Sequence, residues 1–153
     1  MTKPMTKRIL AIASGGGHWQ QLMLMRPAFE GHDVTFATTL PGLPEQFDAR
    51  PYHLIPDCNR DEKAAALACT LRLAGLILRL RPQVILSTGA LPGVIALAIG
   101  RAMGARTIWV DSVANAEEMS SSGRLARRFA HLWMSQWEHV AAEAGADYAG
   151  AVL

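Results

Sequence analysis

The sequence predicts a doubly wound α/β domain, a parallel sheet with helices on both faces. Two observations predict it. Short apolar runs alternate along the chain with segments of helical apolar spacing, as strands joined by crossover helices require. The segments that close these runs are rich in Gly, Ser, Thr and Pro, which turn a strand into a helix. At 153 residues the chain is about one domain's worth, and no repeat, low-complexity stretch or linker divides it. Residues 1–153 are therefore read as a single Rossmann-like domain.

The elements follow in order. Arg8–Ala13 is an apolar run ending in Ser14-Gly15-Gly16-Gly17, a buried strand and a tight turn. Residues 18–30 place Trp19, Leu22, Met23, Met25 and Phe29 at helical spacing. Asp33–Thr38 is the second strand, Pro41, Gly42 and Pro44 mark a loop, and Tyr52–Ile55 is a short third strand. A long helix spans Asp61–Arg81, closed by Pro82, and Gln83–Ser87 is the fourth strand. Leu91–Met103 is a helix with Pro92 in its first turn, where a missing N–H is harmless. Arg106–Val110 is the fifth strand, Ser122–His131 a helix, His131–Ser135 a sixth strand and Glu138–Ala144 a last helix.

Composition removes several classes of function. Half of the residues are apolar and 18% are charged, which excludes a disordered chain. Fifteen Lys and Arg against thirteen Asp and Glu give a net charge of +2, with no basic stripe of the kind nucleic acid requires. Cys58 and Cys69 form neither a disulfide framework nor a CxxC knuckle, which fits a reduced, cytoplasmic compartment. The apolar run from Ile9 stops at Ala13, too short for a signal peptide, and no run reaches the roughly 18–20 residues of a membrane span. Any membrane contact is expected from the surface.

In doubly wound sheets ligands bind beyond the carboxyl ends of the strands. The turns there carry the least ordinary sequence. In Ser14-Gly15-Gly16-Gly17-His18 the glycines let a ligand approach bare N–H groups, and the following helix turns its positive end toward an anion. The same glycines would also serve a purely structural tight turn. No Lys follows them, so there is no Walker A loop, and neither a third spaced glycine nor a carboxylate after the second strand supports dinucleotide binding. Ser87-Thr88-Gly89 opens a second helix and is a candidate for sugar or phosphate contact, or for close helix–strand packing. Asp111, after the fifth strand, is a candidate base or a cap. Arg124 is a candidate phosphate ligand, or a partner for Glu117 and Glu118. The five histidines show no metal-ligand spacing and no GxSxG elbow is present, so neither a metal nor a cofactor is expected.

Helix 61–81 is apolar around much more than the ~100° that a core-facing helix needs, and its arginines, Arg72 and Arg79, share one stripe. It suits either an anionic membrane surface, with Arg72, Leu76 and Arg79 in contact, or a protein interface.

Taken together, Ser14–His18, Ser87–Ala90, Trp109–Ser112, Ser122–Leu125 and Ser135–Trp137 resemble, in that order, the acceptor-side, membrane-associated subunit of split GT-B glycosyltransferases. That family serves the eukaryotic UDP-N-acetylglucosamine transferase of lipid-linked oligosaccharide synthesis, with bacterial relatives in exopolysaccharide synthesis. The resemblance spans nearly the whole chain and implies the N-terminal half of a GT-B enzyme. This half takes a polyprenyl-diphosphate-linked saccharide acceptor at the cytoplasmic face of the inner membrane. A separate donor-binding subunit holds the nucleotide sugar. It further implies that Gly15, Gly16, Gly17 and His18 meet the acceptor diphosphate, as in the related peptidoglycan lipid-intermediate transferase. Two departures stand out: eukaryotic members have an N-terminal span not found here, and Asp111 stands where the family has Glu.

The expected activity is thus one half of an inverting sugar transfer. His18, beside the glycine loop, is the first candidate for base or diphosphate contact and Asp111 the second. Ser14, Ser87, Thr88, Gly89 and Arg124 complete the candidate diphosphate site. A non-catalytic scaffold that recruits a transferase to the membrane, or a stand-alone nucleotide-binding protein, are the competing readings.

Overall fold

The structure is a computed structural model that describes residues 5–152. Its seven strands are β1 (Arg8–Ile12), β2 (Asp33–Thr38), β3 (Tyr52–Leu54), β4 (Val84–Ser87), β5 (Arg106–Val110), β6 (Leu132–Ser135) and β7 (Asp147–Tyr148). All pair in parallel, in the order β3-β2-β1-β4-β5-β6-β7. The connections carry α1 (Gly17–Leu24), α2 (Leu43–Gln46), α3 (Lys63–Leu80), α4 (Ala90–Ala102), α5 (Ser121–Ala126) and α6 (Glu138–Ala144). This is the Rossmann-like doubly wound sheet that the sequence predicts.

The central strands are apolar on both sides because both sides are covered. Ile9 and Ala11 of β1 pack with Trp19, Leu22 and Phe36 beneath α1, while Leu10 and Ile12 face Cys69, Leu73 and Ile77 of α3. A third cluster, around Leu97, Trp109, Trp133 and Val140, joins α4 and α6 to β5 and β6.

Strand order reverses between β1 and β4, which are hydrogen-bonded neighbours although two strands separate them in the chain. A crevice opens beyond the carboxyl ends of strands at such a switch point. The turn after β1 is Ser14–Gly16 and the turn after β4 is Thr88-Gly89, so the topology sets the two glycine turns side by side.

Several boundaries differ from the expectation, each for a local reason. The first helix stops at Leu24 and gives way to a 3₁₀ turn at Arg26–Phe29. Pro27 has no N–H for the carbonyl four residues back, and it disfavours a helical Arg26. The Pro41–Pro44 loop contains a turn of helix, α2, which starts after Gly42 at φ 90° and places Pro44 in its first turn. The helix expected over residues 122–131 ends at Ala126. Strand β7 is only two residues long, too short to leave a pattern in sequence.

Helix α3 corrects one expected contact. It buries Cys69, Leu73, Leu76 and Ile77, and Leu76, expected at a membrane, is 1% exposed. The leucines it turns outward are Leu67, Leu71 and Leu78, each about 60% exposed. Arg72 and Arg79 are exposed beside them. Among the described residues no helix is long and apolar enough to cross a membrane.

Candidate functional site

The glycine loop is open on its outer side. Gly16 has φ +74°, the left-handed region in which a side chain is strained, and a Cβ at Gly16 or Gly17 would meet nothing within 4 Å. Gly15 is tighter: its N–H donates to Thr39 Oγ1 at 3.3 Å, and a Cβ would come 3.0 Å from Leu40 Cβ. No side chain caps α1 and no acidic residue stands in its first turn. The orphan N–H groups of that turn are therefore left to a ligand or to water.

The turn after β4 works inward instead. Ser87, Thr88 and Gly89 are buried. Ser87 Oγ accepts the Gly89 N–H at 3.2 Å, and Thr88 Oγ1 donates to the carbonyl of His18 at 2.6 Å. Gly89 lies against the His18 ring so closely that a Cβ would collide with Nδ1, Cγ and Cε1. Gly93, one turn into α4, is required in the same way by Ser87 Oγ. These residues hold the first loop rather than face a ligand, which is the packing alternative for this turn. Ala90, the first residue of α4, is held at φ +70°, a strained conformation for a residue with a side chain.

Asp111 is not placed to act as a base. It is 2% exposed, and both oxygens of its carboxylate accept hydrogen bonds from within the fold. Oδ1 accepts Trp109 Nε1–H at 3.0 Å and the Ser120 hydroxyl at 2.6 Å, and Oδ2 accepts the Ser120 N–H at 2.8 Å. Ser120 Oγ in turn accepts the Gly123 N–H at 2.8 Å and so caps α5. A Cβ at Gly123 would come within 2.5 Å of Asp111 Oδ1, so the Trp109–Ser112 and Ser122–Leu125 motifs form one interlocked unit.

The remaining motif locks the strand ends. Gln136 Nε2 donates to Gln21 Oε1 at 2.6 Å and to the Asp111 carbonyl at 2.9 Å. Gln21 Nε2 donates to Ser112 Oγ at 3.0 Å, and Trp137 Nε1 donates to the Val113 carbonyl at 2.7 Å. Gln21, Ser112 and Gln136 are all buried, and satisfied buried amides fix a single arrangement of α1, β5 and β6.

Arg124 is already paired within its own neighbourhood. Its guanidinium is 3.4 Å from Glu118 and donates to the Met119 carbonyl at 3.2 Å, the ion-pair alternative raised by the sequence. It lines a separate hollow of about 400 Å3 with Arg127 and Trp133.

What the structure gathers around His18 is a different set. A cavity of about 430 Å3 lies between His18, Ala90 and Leu91 on one side and Asn59, Arg60 and Asp61 on the other, with Ser120–Ser122 completing it. Asn59 Oδ1 accepts the N–H groups of Asp61 and Glu62 at 2.9 and 3.0 Å, fixing the loop, and Arg60 Nη2 donates to the Ser121 carbonyl at 3.0 Å. The sequence gives Asn59 and Arg60 no motif. Their only signal is position, since a loop after β3 lies on the ligand edge of the sheet. Cys58 also lines the cavity, and burial pushes its thiol above the usual cysteine range. Burial and then the hydrogen bond with Cys58 push the Cys69 thiol up to about 12, so both stay protonated and unreactive.

No family model and no curated protein matches the sequence. Solved structures do. MurG of Acinetobacter baumannii superposes at a TM-score of 0.70 with 14% identity, covering 85% of this chain and 41% of that one. The UDP-N-acetylglucosamine 2-epimerase of Rickettsia bellii gives 0.73 with 10% identity, covering 97% and 46%. The UDP-GlcNAc 2-epimerase of Methanocaldococcus jannaschii, solved with UDP-GlcNAc and UDP, gives 0.70 with 12% identity, covering 94% and 46%. The chain has the fold of the N-terminal half of a GT-B enzyme. It spans less than half the length of each of these three structures.

Proposed function

We propose that this chain is the acceptor-binding, membrane-peripheral half of a two-component inverting glycosyltransferase. The complex moves a sugar from a nucleotide sugar to a polyprenyl-diphosphate-linked saccharide, in bacterial exopolysaccharide or lipid-linked oligosaccharide synthesis. The observation that carries the reading is the match to MurG and the epimerases, which covers 85–97% of this chain and only 41–46% of their length. A GT-B site is a cleft between two such halves. In this reading the other half is a donor-binding partner subunit that closes over the glycine loop.

The outward face of α3 supports attachment to the cytoplasmic face of the inner membrane. Leu67, Leu71 and Leu78 form an apolar stripe, with Arg72 and Arg79 along one edge, where each adds about 1 kcal/mol near anionic lipid. The arginines match the charge of anionic headgroups while the leucines enter the acyl boundary.

The test is a three-way assay with a polyprenyl-diphosphate-linked acceptor and labelled nucleotide sugars. This chain, its co-purifying GT-B-type partner and their mixture are measured separately. Only the mixture is expected to turn over, with donor binding located on the partner by calorimetry. Robust transfer by the isolated chain would overturn the two-component reading.

A further inference from the structure

Unpaired positive charge collects at the other edge of the sheet, where the strands begin. A hollow of about 510 Å3 opens there, between the carboxyl ends of α3 and α4 and the start of β1. Arg8, Arg81 and Gln83 line it together with Leu78 and Met103, and among the described residues no carboxylate does.

Helix capping does not use up these arginines. The carbonyl ends of two helices point to this edge and favour a cation. Arg8 answers them with one N–H, its Nε donating to the Arg81 carbonyl at 3.0 Å. Its Nη groups and the whole Arg81 guanidinium have no partner among the described residues. Asp33 stands opposite Arg8 in the β1–β2 ladder, yet no ion pair joins them. Arg81 closes α3 at φ +47°, a left-handed position where glycine is the usual residue, so the backbone gains nothing from an arginine there. Gln83 fixes the frame: its Oε1 accepts the Arg8 N–H at 3.0 Å, and its own N–H donates to the Arg8 carbonyl at 2.8 Å.

Two guanidiniums suit the oxygens of a phosphate, which their planar N–H forks meet in pairs. The rest of the wall selects the kind of phosphate. No aromatic ring lines the hollow, so a base has nothing to stack on. No carboxylate is there to meet the ammonium of a zwitterionic headgroup. Leu78 and Met103 are exposed apolar side chains, and Leu78 also belongs to the outward leucine stripe of α3. The apolar surface thus runs from the helix into the hollow, as an anion carried on apolar chains requires.

We propose that this hollow is a headgroup site for an anionic phospholipid. Arg8 and Arg81 hold the phosphodiester, and Leu78 and Met103 lie against the glycerol and the first methylenes. The site rests on the membrane reading of α3 only for the side from which the lipid arrives.

The probe is dihexanoyl phosphatidylglycerol, a lipid soluble as a monomer, titrated into the purified chain and followed by 1H–15N spectra. Amide shifts should collect at Arg8, Gln83 and Gly104. Dihexanoyl phosphatidylcholine, and glycerol phosphate without acyl chains, should each bind roughly 10-fold or more weakly. Arg81→Gly relieves the backbone while removing the guanidinium. It should unfold at or above the wild-type temperature and bind the lipid roughly 10–100-fold more weakly. Lys63→Gln removes an equal charge at the far end of α3 and should bind as wild type does. Shifts confined to the glycine turns, equal affinity for the two headgroups, or an affinity unmoved in Arg81→Gly would overturn the proposal. Glycerol phosphate bound as tightly as the lipid would overturn the lipid as occupant in favour of a free phosphate. Flotation with phosphatidylglycerol vesicles separates the site from the membrane reading. Soluble lipid bound in the hollow without flotation supports the site and counts against membrane attachment. Flotation with the hollow untouched by soluble lipid overturns the site alone.

Discussion

Gly89 is the platform on which the His18 imidazole rests. The two residues come from different turns, after β4 and after β1, and meet because the switch point makes those strands neighbours. Gly89 has an extended backbone at φ 160° that any residue can adopt, so what it contributes is space. Gly89→Ala is therefore expected to cost about 1–3 kcal/mol through overpacking. It should also displace the His18 ring. Urea unfolding checks the first effect and the NMR chemical shifts of the His18 ring the second.

Asp111 gives the opposite separation of stability from chemistry. Asp111→Ala strands Trp109 Nε1–H and the Ser120 N–H without acceptors, a loss of about 2–4 kcal/mol. In the complex with a partner subunit, the folded fraction should keep turnover within several-fold of wild type. A folded Asp111→Ala protein with no turnover would restore Asp111 as a reacting group.

The contrast between His18 and Asp111 shows what the sequence makes legible. Alternating apolar runs and small-residue turns reveal the sheet, because burial on both faces dictates apolar strands whatever the ligand. The glycine loop is legible for the same reason, since few backbones need three glycines together. Which polar side chain faces the ligand is not legible. His18 and Asp111 follow strand ends alike, yet one lines a cavity and the other is buried with both oxygens bonded to Trp109 and Ser120. Arg60 is hidden because its neighbours in the cavity, His18 and Ser121, lie far from it in the chain. Leu76 and Leu78 differ only in helical phase, and a helix apolar on nearly every side does not announce which stripe is the core.

That phase gives a prediction for α3. Leu71→Glu with Leu78→Glu should lower flotation with anionic liposomes and leave the unfolding midpoint nearly unchanged, since both side chains are mostly exposed. Leu76→Ala should do the reverse, costing about 2–5 kcal/mol as a cavity opens under the helix, with flotation of the folded protein retained. If the double substitution floats as well as wild type, α3 meets another protein instead.

Acid sensitivity should arise at two histidines that do not line the cavity. His131 Nδ1 accepts the Thr107 N–H at 3.0 Å, with Thr107 Oγ1 at 2.9 Å, so the lone pair is in use in the folded chain. Burial, then Arg101 and Arg106, hold its imidazole below the ordinary value of 6.5. Burial, then Arg79 and Arg72, do the same to His53. In each case the unfolded chain takes up a proton at a higher pH than the folded chain does. As pH falls through 6.5 the unfolded state therefore binds more protons, and stability declines with it until the folded imidazoles titrate in turn. Above that window the contribution is constant. The urea midpoint should thus drop between pH 7.5 and pH 5.5, and the drop should shrink in His53→Gln with His131→Gln, whose amide oxygen can still accept the Thr107 N–H. An identical drop in the double variant would assign the acid sensitivity to other groups.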